Sequence, residues 1–453
     1  MELNDLEKID KKSMFKTYDI WPGIARESFE KKIEKLDVKD IDHVVFAGMG
    51  GSGSIGDAIS TILSKKDIHV SNVKGYLLPK TVDSKTLVIA TSVSGNTSET
   101  LAILNNAKQT TAKVVGFSSG GKIEEYCKKN EIFFQKIPMI HSPRASFTGF
   151  LYSILNVLEQ ILPIEKSEIS ESISSLEQTR KNIFSGNLTN ENKSLELAKF
   201  TKDIVTIYYP AGLQAAAIRY KNCLQENTKI HAIAEDVIES CHNGIVPWVE
   251  KSSVRPIFIQ GKDDHIKTSE RWVILKEFFD GKGIDYRVAN SIDGNILSKI
   301  TSLIYLLDYS TIYAAVLNNT DPSPVEPIDF IKSIKYSYNS ILYIDTHAGS
   351  GYYDLNNEYI QKNKEHQTGI EKMLSFTTND PYLRFYLKTI NNINKSNKLK
   401  FYPGSPKIIQ HLTDKLDELY FYELHTNEFR LLKNKFLKNS NIKIINDDGL
   451  EDN

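Results

Sequence analysis

Two loops ahead of residue 100 carry residue types that hold a phosphate. The stretch "VVFAGMGGSGSIG" places Gly48, Gly50 and Gly53 in G-x-G-x-x-G spacing after a short apolar run. Glycines spaced this way let the backbone turn tightly and bring its N–H groups close to a charged ligand. A dinucleotide site would also need an acidic residue about 20 positions further on to hold a ribose hydroxyl. That region reads "KDIHVSNVKGY", and no carboxylate ends its apolar run. The next apolar run, "TLVIATS", leads instead into "SVSGNTSET". Ser92, Ser94 and Thr97 offer hydroxyls where a helix begins, and the positive end of that helix suits a phosphate. These residues could also be no more than helix caps. Two such loops in succession, each after a strand, favour a ligand site at the carboxyl ends of a parallel sheet.

The elements around these loops alternate. "HVVFAG", "TLVIATS", "AKVVGFSS" and "EIFFQKI" read as strands, separated by helical stretches and followed by the apolar helix "RASFTGFLYSILNVLEQIL". After a charged helical connector the alternation restarts with "DIVTIYYP", "SVRPIFIQG" and "IDYRVAN", before a long helix around 294–318. Strands alternating with helices predict an α/β protein of two doubly wound, parallel-sheet halves. The expected divisions are a polar helical cap at 1–40, a first half at 41–164, a connector at 165–200, a second half at 201–335 and a third unit at 336–453.

The 453 residues carry a formal net charge of -1. No basic surplus points to nucleic acid or a membrane surface. The first residues, "MELNDLEKIDKKSMF", show no apolar leader, and the two long apolar stretches contain Glu159 and Asp308, as core helices do more often than membrane spans. The three cysteines, Cys127, Cys223 and Cys241, have no metal-ligand spacing and fit reduced thiols in a cytoplasm.

Taken together, "GMGGSG", "SVSGNTSET", "HSPRASF", "RYKNCLQENTKIHAIAEDVIESCHN" and "DPSPVEPIDFIK" resemble the bifunctional phosphoglucose/phosphomannose isomerases, which have the sugar isomerase (SIS) fold. The motifs fall in order over about three quarters of the chain. The resemblance implies interconversion of glucose 6-phosphate, and of mannose 6-phosphate, with fructose 6-phosphate through an enediol or enediolate. It assigns Glu226 as the proton-transfer base, His242 as the ring-opening acid–base, Lys332 as an assistant at the ring or O1, and Arg144 as the charge that stabilises the enediolate. Ser52, Ser92, Ser94 and Thr97 would hold the 6-phosphate, with Gly50 and Gly51 giving close backbone approach. The resemblance also implies a homodimer in which His242 reaches the partner's site, and neither a metal nor a cofactor. Val93 stands where the family often has an aromatic residue, and "HNGIVPW" varies around His242; both touch substrate fit rather than the chemistry and leave the glucose-versus-mannose preference open. A phosphosugar-sensing regulator on the same fold is the alternative. It would need the serine loops but not Glu226 and His242.

"YIDTHAGSGYYDL" opens the third unit, and "YPGSP", "YELH" and "NDDG" follow it. This region resembles the large-subunit ribosomal RNA adenine-N6 methyltransferases. It implies S-adenosylmethionine contacts at Gly349, Ser405, Glu423 and Asp448. Those enzymes place the target base with an Asp- or Asn-Pro-Pro-Tyr loop after a fourth strand, and the sequence reaches Asn453 before such a strand. A basic, Asn-His-Ala-Asp-like segment is also missing upstream of Tyr336. The expectation is a partial, catalytically inert unit, which disfavours S-adenosylmethionine-dependent methyl transfer as the chain's function.

Overall fold

The computed structural model describes residues 1–337, 341–356, 365–374, 378, 380–395, 399–413, 417–437 and 439–450; side chains are described for these except at 332–337, 365, 381 and 382. The chain divides into two compact units, Met1–Pro324 and Val325–Asn453.

In the first unit, the β-branched runs at 43–47 and 86–92 are buried on both faces, as interior strands of a parallel sheet are. Helices α1 (Leu3–Ile9), α2 (Met14–Asp19) and α3 (Trp21–Glu30) precede the first sheet. Strand β1 (His43–Ala47) leads into α4 (Gly50–Leu63), then β2 (His69–Val73), β3 (Thr86–Ser92), α5 (Ser98–Lys108), β4 (Lys113–Ser118), α6 (Gly121–Lys129) and β5 (Phe133–Lys136). The five strands pair in parallel in the order β2-β1-β3-β4-β5. The order reverses between β1 and β3, so the crevice above their carboxyl ends is the expected ligand position.

Helices α7 (Phe147–Val157), α8 (Lys166–Ile183) and α9 (Lys193–Phe200) lead to the second sheet. It is built from β6 (Ile204–Tyr209), α10 (Gln214–Cys223), β7 (His231–Asp236), α11 (Val237–Ser240), β8 (Val254–Gln260), α12 (Ile266–Gly281) and β9 (Arg287–Asn290). Its parallel order is β7-β6-β8-β9. The long helix α13 (Ile296–Leu317) follows, and one buried cluster unites α13, α7, α8 and both sheets. Helix α13 is long and apolar enough to cross a bilayer, but it is buried in this core.

The segment read from its sequence as a polar cap packs inward. Leu6, Met14, Phe15, Tyr18 and Trp21 are buried in the same cluster, and the Trp21 indole donates to the Ala145 carbonyl at 2.8 Å. The charged stretch read as a connector likewise buries Ile169, Ile173, Leu176 and Ile183. Strand β7, "HAIAED", is an addition to the reading from sequence: it is an edge strand that exposes His231 and Ile233 and buries only the small Ala232, so it lacks a clear apolar alternation.

The second unit begins with α14 (Glu326–Ser337). Strands β10 (Leu342–Asp345), β13 (Glu418–Tyr422) and β14 (Ile442–Ile445) form a parallel sheet in the order β10-β13-β14. The run "KFYPGSP" does not join this sheet. Its strand β12 (Phe401–Pro403) pairs antiparallel with β11 (Tyr352–Asp354). Leu419, Phe421, Leu432 and Phe436 are buried together, whereas Leu342 and Ile344 on the edge strand β10 are exposed.

Candidate functional site

Glu226 owes its position to a local irregularity. Helix α10 continues into a five-residue π turn, Leu224–Thr228, which Lys229 ends at φ +60°. Such turns shift side chains out of helical register and recur at functional positions. Leu224, Asn227 and Thr228 face inward, and the Glu226 side chain is left 24% exposed.

Arg144 follows Pro143 in the loop after β5, and its side chain is only 4% exposed. Its Nη1 donates to Glu226 Oε2 at 3.0 Å, its Nε to Asn227 Oδ1 at 2.6 Å, and its Nη2 to the carbonyls of Pro322 at 2.7 Å and Ser323 at 3.1 Å. Asn227 is fixed in turn by its donation to Thr311 Oγ1 at 2.7 Å. A buried guanidinium persists only when its donors are satisfied. Here neutral carbonyls and an amide do most of that work, and Glu226 is the carboxylate on it. The result is a fixed positive charge beside a carboxylate that solvent or substrate can reach.

The serine loops line the carboxyl ends of β1 and β3. Ser52 Oγ accepts from the Val93 N–H at 2.9 Å, tying the two loops together. Ser92 Oγ accepts from the Gly95 N–H at 3.1 Å and pairs with Thr97 Oγ1 at 2.8 Å. Ser52 and Ser92 are buried, whereas Ser94 and Thr97 are half-buried at the mouth, and Thr97 is the residue just ahead of α5. Gly51 lies against the other half of the site: a Cβ there would stand 3.1 Å from Pro143 carbonyl atoms and 3.2 Å from Arg144 Cα. Gly50 opens α4 at φ +52°.

A third loop at the end of β4, "SSGG", escaped the reading from sequence. Ser119 donates to the Val93 carbonyl at 2.7 Å, and a Cβ on Gly95 would come within 1.7 Å of the Gly120 carbonyl oxygen. It buttresses the serine loop from behind. The residue directly after β2, where a dinucleotide would need a carboxylate, is Lys74, ion-paired with Asp57 at 2.5 Å.

His242 is not part of this cluster. It is exposed after α11, beyond the carboxyl end of β7, whereas Glu226 lies ahead of the amino end of the same strand. Lys332 lies on α14, in the second unit, and its side chain is outside the described residues. Arg219, which sequence reasoning missed, is 2% exposed on α10 and paired with the fully buried Asp308 of α13 at 2.6 Å. Its signal was an arginine in the apolar run "AAAIRY", two helical turns before Glu226. Among the described residues, no cluster of His, Cys, Asp and Glu has metal-holding geometry.

In the second unit, Gly349 and Glu423 meet directly. The Gly349 N–H donates to Glu423 Oε2 at 2.7 Å, and the His425 N–H donates to Oε1 at 2.7 Å. Ser405 Oγ donates to Asp345 Oδ2 at 2.5 Å, and Asp448 follows the end of β14. All four positions gather at the carboxyl edge of the parallel sheet. Glu423 has lone pairs left that ribose hydroxyls of S-adenosylmethionine could meet, and the half-buried Asp448 could accept from an adenine amine, so the residues fit that group.

Two parallel sheets, with glycine and serine loops at the carboxyl ends of the first, define the first unit as an SIS-type α/β protein. Residues 38–152 match the SIS domain, residues 190–334 the bacterial phospho-glucose isomerase C-terminal SIS domain, and residues 338–453 ribosomal RNA large subunit methyltransferase D, RlmJ. The fold is shared with a crystal structure of a hypothetical protein from Thermus thermophilus, at a TM-score of 0.57 and 13% identity over 73% of this chain and 94% of that one. A bifunctional phosphoglucose/phosphomannose isomerase of Caldicellulosiruptor bescii is 33% identical over 307 residues, 66% of this chain and 91% of that relative. The chain belongs to the bifunctional phosphoglucose/phosphomannose isomerase family. Its C-terminal region is methyltransferase-like: ribosomal RNA large subunit methyltransferase J of Escherichia coli is 33% identical over 139 residues, 31% of this chain, and the match spans 48% of that relative's length.

Proposed function

We propose that the chain is an aldose–ketose isomerase that interconverts glucose 6-phosphate, and mannose 6-phosphate, with fructose 6-phosphate. The observation that carries this reading is the contact between Glu226 and the buried Arg144 guanidinium. In the forward direction Glu226 takes the proton from C2 of the open-chain aldose and returns it to C1, while a second proton passes from O2 to O1. Arg144 supplies the fixed positive charge that the enediolate oxygen needs in between. Ser94 and Thr97, with the start of α5, hold the 6-phosphate, supported by Ser52 and Ser92. Binding energy at this remote group is then available for the reaction at C1 and C2. The enzyme works in the cytoplasm without a metal.

His242 opens the ring from the partner subunit of a homodimer. This is supported by its place on the far side of β7 from Glu226, since a six-residue strand spans about 20 Å. Lys332 assists at the ring oxygen or O1. In the second unit, Gly349, Ser405, Glu423 and Asp448 would hold S-adenosylmethionine, which supplies a methyl group when bound. Isomerisation does not depend on it.

Incubation with fructose 6-phosphate tests the reading: both aldose phosphates should form, and no product from the intact dimer would refute it. Mixing two inactive variants, Glu226→Gln and His242→Ala, tests the shared site. Donation across the interface leaves one intact site in each mixed dimer and restores about a quarter of the activity, by counting sites. A site made within one chain restores none.

A further inference from the structure

Arg219 sits at the seam where the glycine loop touches the Arg144 backbone. Its Nη1 donates to Ser54 Oγ at 2.8 Å, and Ser54 Oγ donates onward to the Gly51 carbonyl at 2.8 Å. Its Nη2 donates to the Arg144 carbonyl at 2.7 Å. Its Nε and Nη2 both reach Asp308 Oδ2, at 2.9 and 2.6 Å. One guanidinium therefore joins α4, the loop carrying Arg144, and α13.

The surroundings hold that guanidinium in one plane. It lies 4.2 Å from the Phe147 ring centroid and 5.9 Å from that of Trp21, both fully buried. Tyr18 donates to Asp308 Oδ2 at 3.3 Å from the other side. A buried ion pair is seldom kept for stability alone, because desolvation offsets most of its attraction. This pair has a second use. Gly51 and Arg144 are in backbone contact, and Arg219 binds the carbonyl on each side of it, one through Ser54 and one directly.

We propose that Arg219 is a positioning residue for the isomerisation: it locks the Arg144 backbone against the glycine loop, so that the Arg144 guanidinium meets Glu226 in the geometry the enediolate needs. This rests on the isomerase reading above. A lysine keeps the charge opposite Asp308 but lacks the planar fork that reaches Ser54, Arg144 and Asp308 at once. Ser94 and Thr97, which hold the phosphate directly, belong to the loop after β3 and take no bond from Arg219, so substrate capture should be largely spared while the chemical step suffers.

The test is steady-state kinetics on fructose 6-phosphate with the full chain, for Arg219→Lys, Ser54→Ala and Glu226→Gln in parallel, together with thermal unfolding. Arg219→Lys should lower kcat about 30- to 100-fold with KM within about threefold, and Ser54→Ala should lower kcat about three- to tenfold. If Arg219→Lys fails to fold, Ser54→Ala decides. Variants that unfold at lower temperature but keep kcat within about twofold overturn the proposal, as does a rise in KM at constant kcat. A fully active Glu226→Gln variant overturns the isomerase reading instead, whatever Arg219→Lys does.

Discussion

The two units each place a glycine loop after a parallel strand, yet the loops face different chemistry. In the first, the neighbouring strand β2 runs out into Lys74, and the next loop supplies hydroxyls. In the second, the neighbouring strand β13 runs out into Glu423, whose carboxylate already grips the Gly349 N–H. A lysine and hydroxyl loops suit a phosphate; a carboxylate suits ribose hydroxyls. The glycine spacing only sets how closely the backbone can approach a ligand. What differs between the two units is the residue at the end of the adjacent strand, Lys74 in the first and Glu423 in the second.

Arg144→Gln removes the charge beside Glu226 and should lower kcat on fructose 6-phosphate by about 100- to 1,000-fold, as loss of a transition-state donor does. Gly95→Ala puts a methyl group against the Gly120 carbonyl at a residue with φ +72°. It should lower the unfolding midpoint by several degrees, roughly 2–3 kcal/mol, in differential scanning calorimetry. Ser94→Ala and Thr97→Ala should each raise KM about tenfold with kcat within about threefold, read from saturation curves. Glu423→Gln belongs to the other loop and should leave sugar-phosphate turnover within about twofold. A large loss there would mean that the second loop serves the first unit's reaction.

The parts of this picture legible in the sequence are those whose physics is local. A tight loop must spell its glycines and hydroxyls contiguously, so "GMGGSG" and "SVSGNTSET" announce themselves. The parallel strands do so too, because "VVFA" and "TLVIATS" are buried on both faces. Arg219 and Asp308 were less legible. They lie 89 residues apart, and neither has a partner within reach along the chain. The N-terminal helices look polar by composition because their buried side chains, Leu6, Phe15, Tyr18 and Trp21 among them, are interspersed with exposed charged ones. Strand β7 hides because only the small Ala232 is buried on it while Ile233 is exposed. His242 gains no contact with Glu226 in the folded chain, since β7 lies between them.

The central claim is that the Arg144–Glu226 pair is a proton-transfer centre. The most direct test is the rate of glucose 6-phosphate and mannose 6-phosphate formation from fructose 6-phosphate by the full chain and by Glu226→Gln, at saturating substrate. The parent chain should turn over, and the variant should lose about 1,000-fold or more with the fold retained. Equal turnover by the two proteins would contradict the claim.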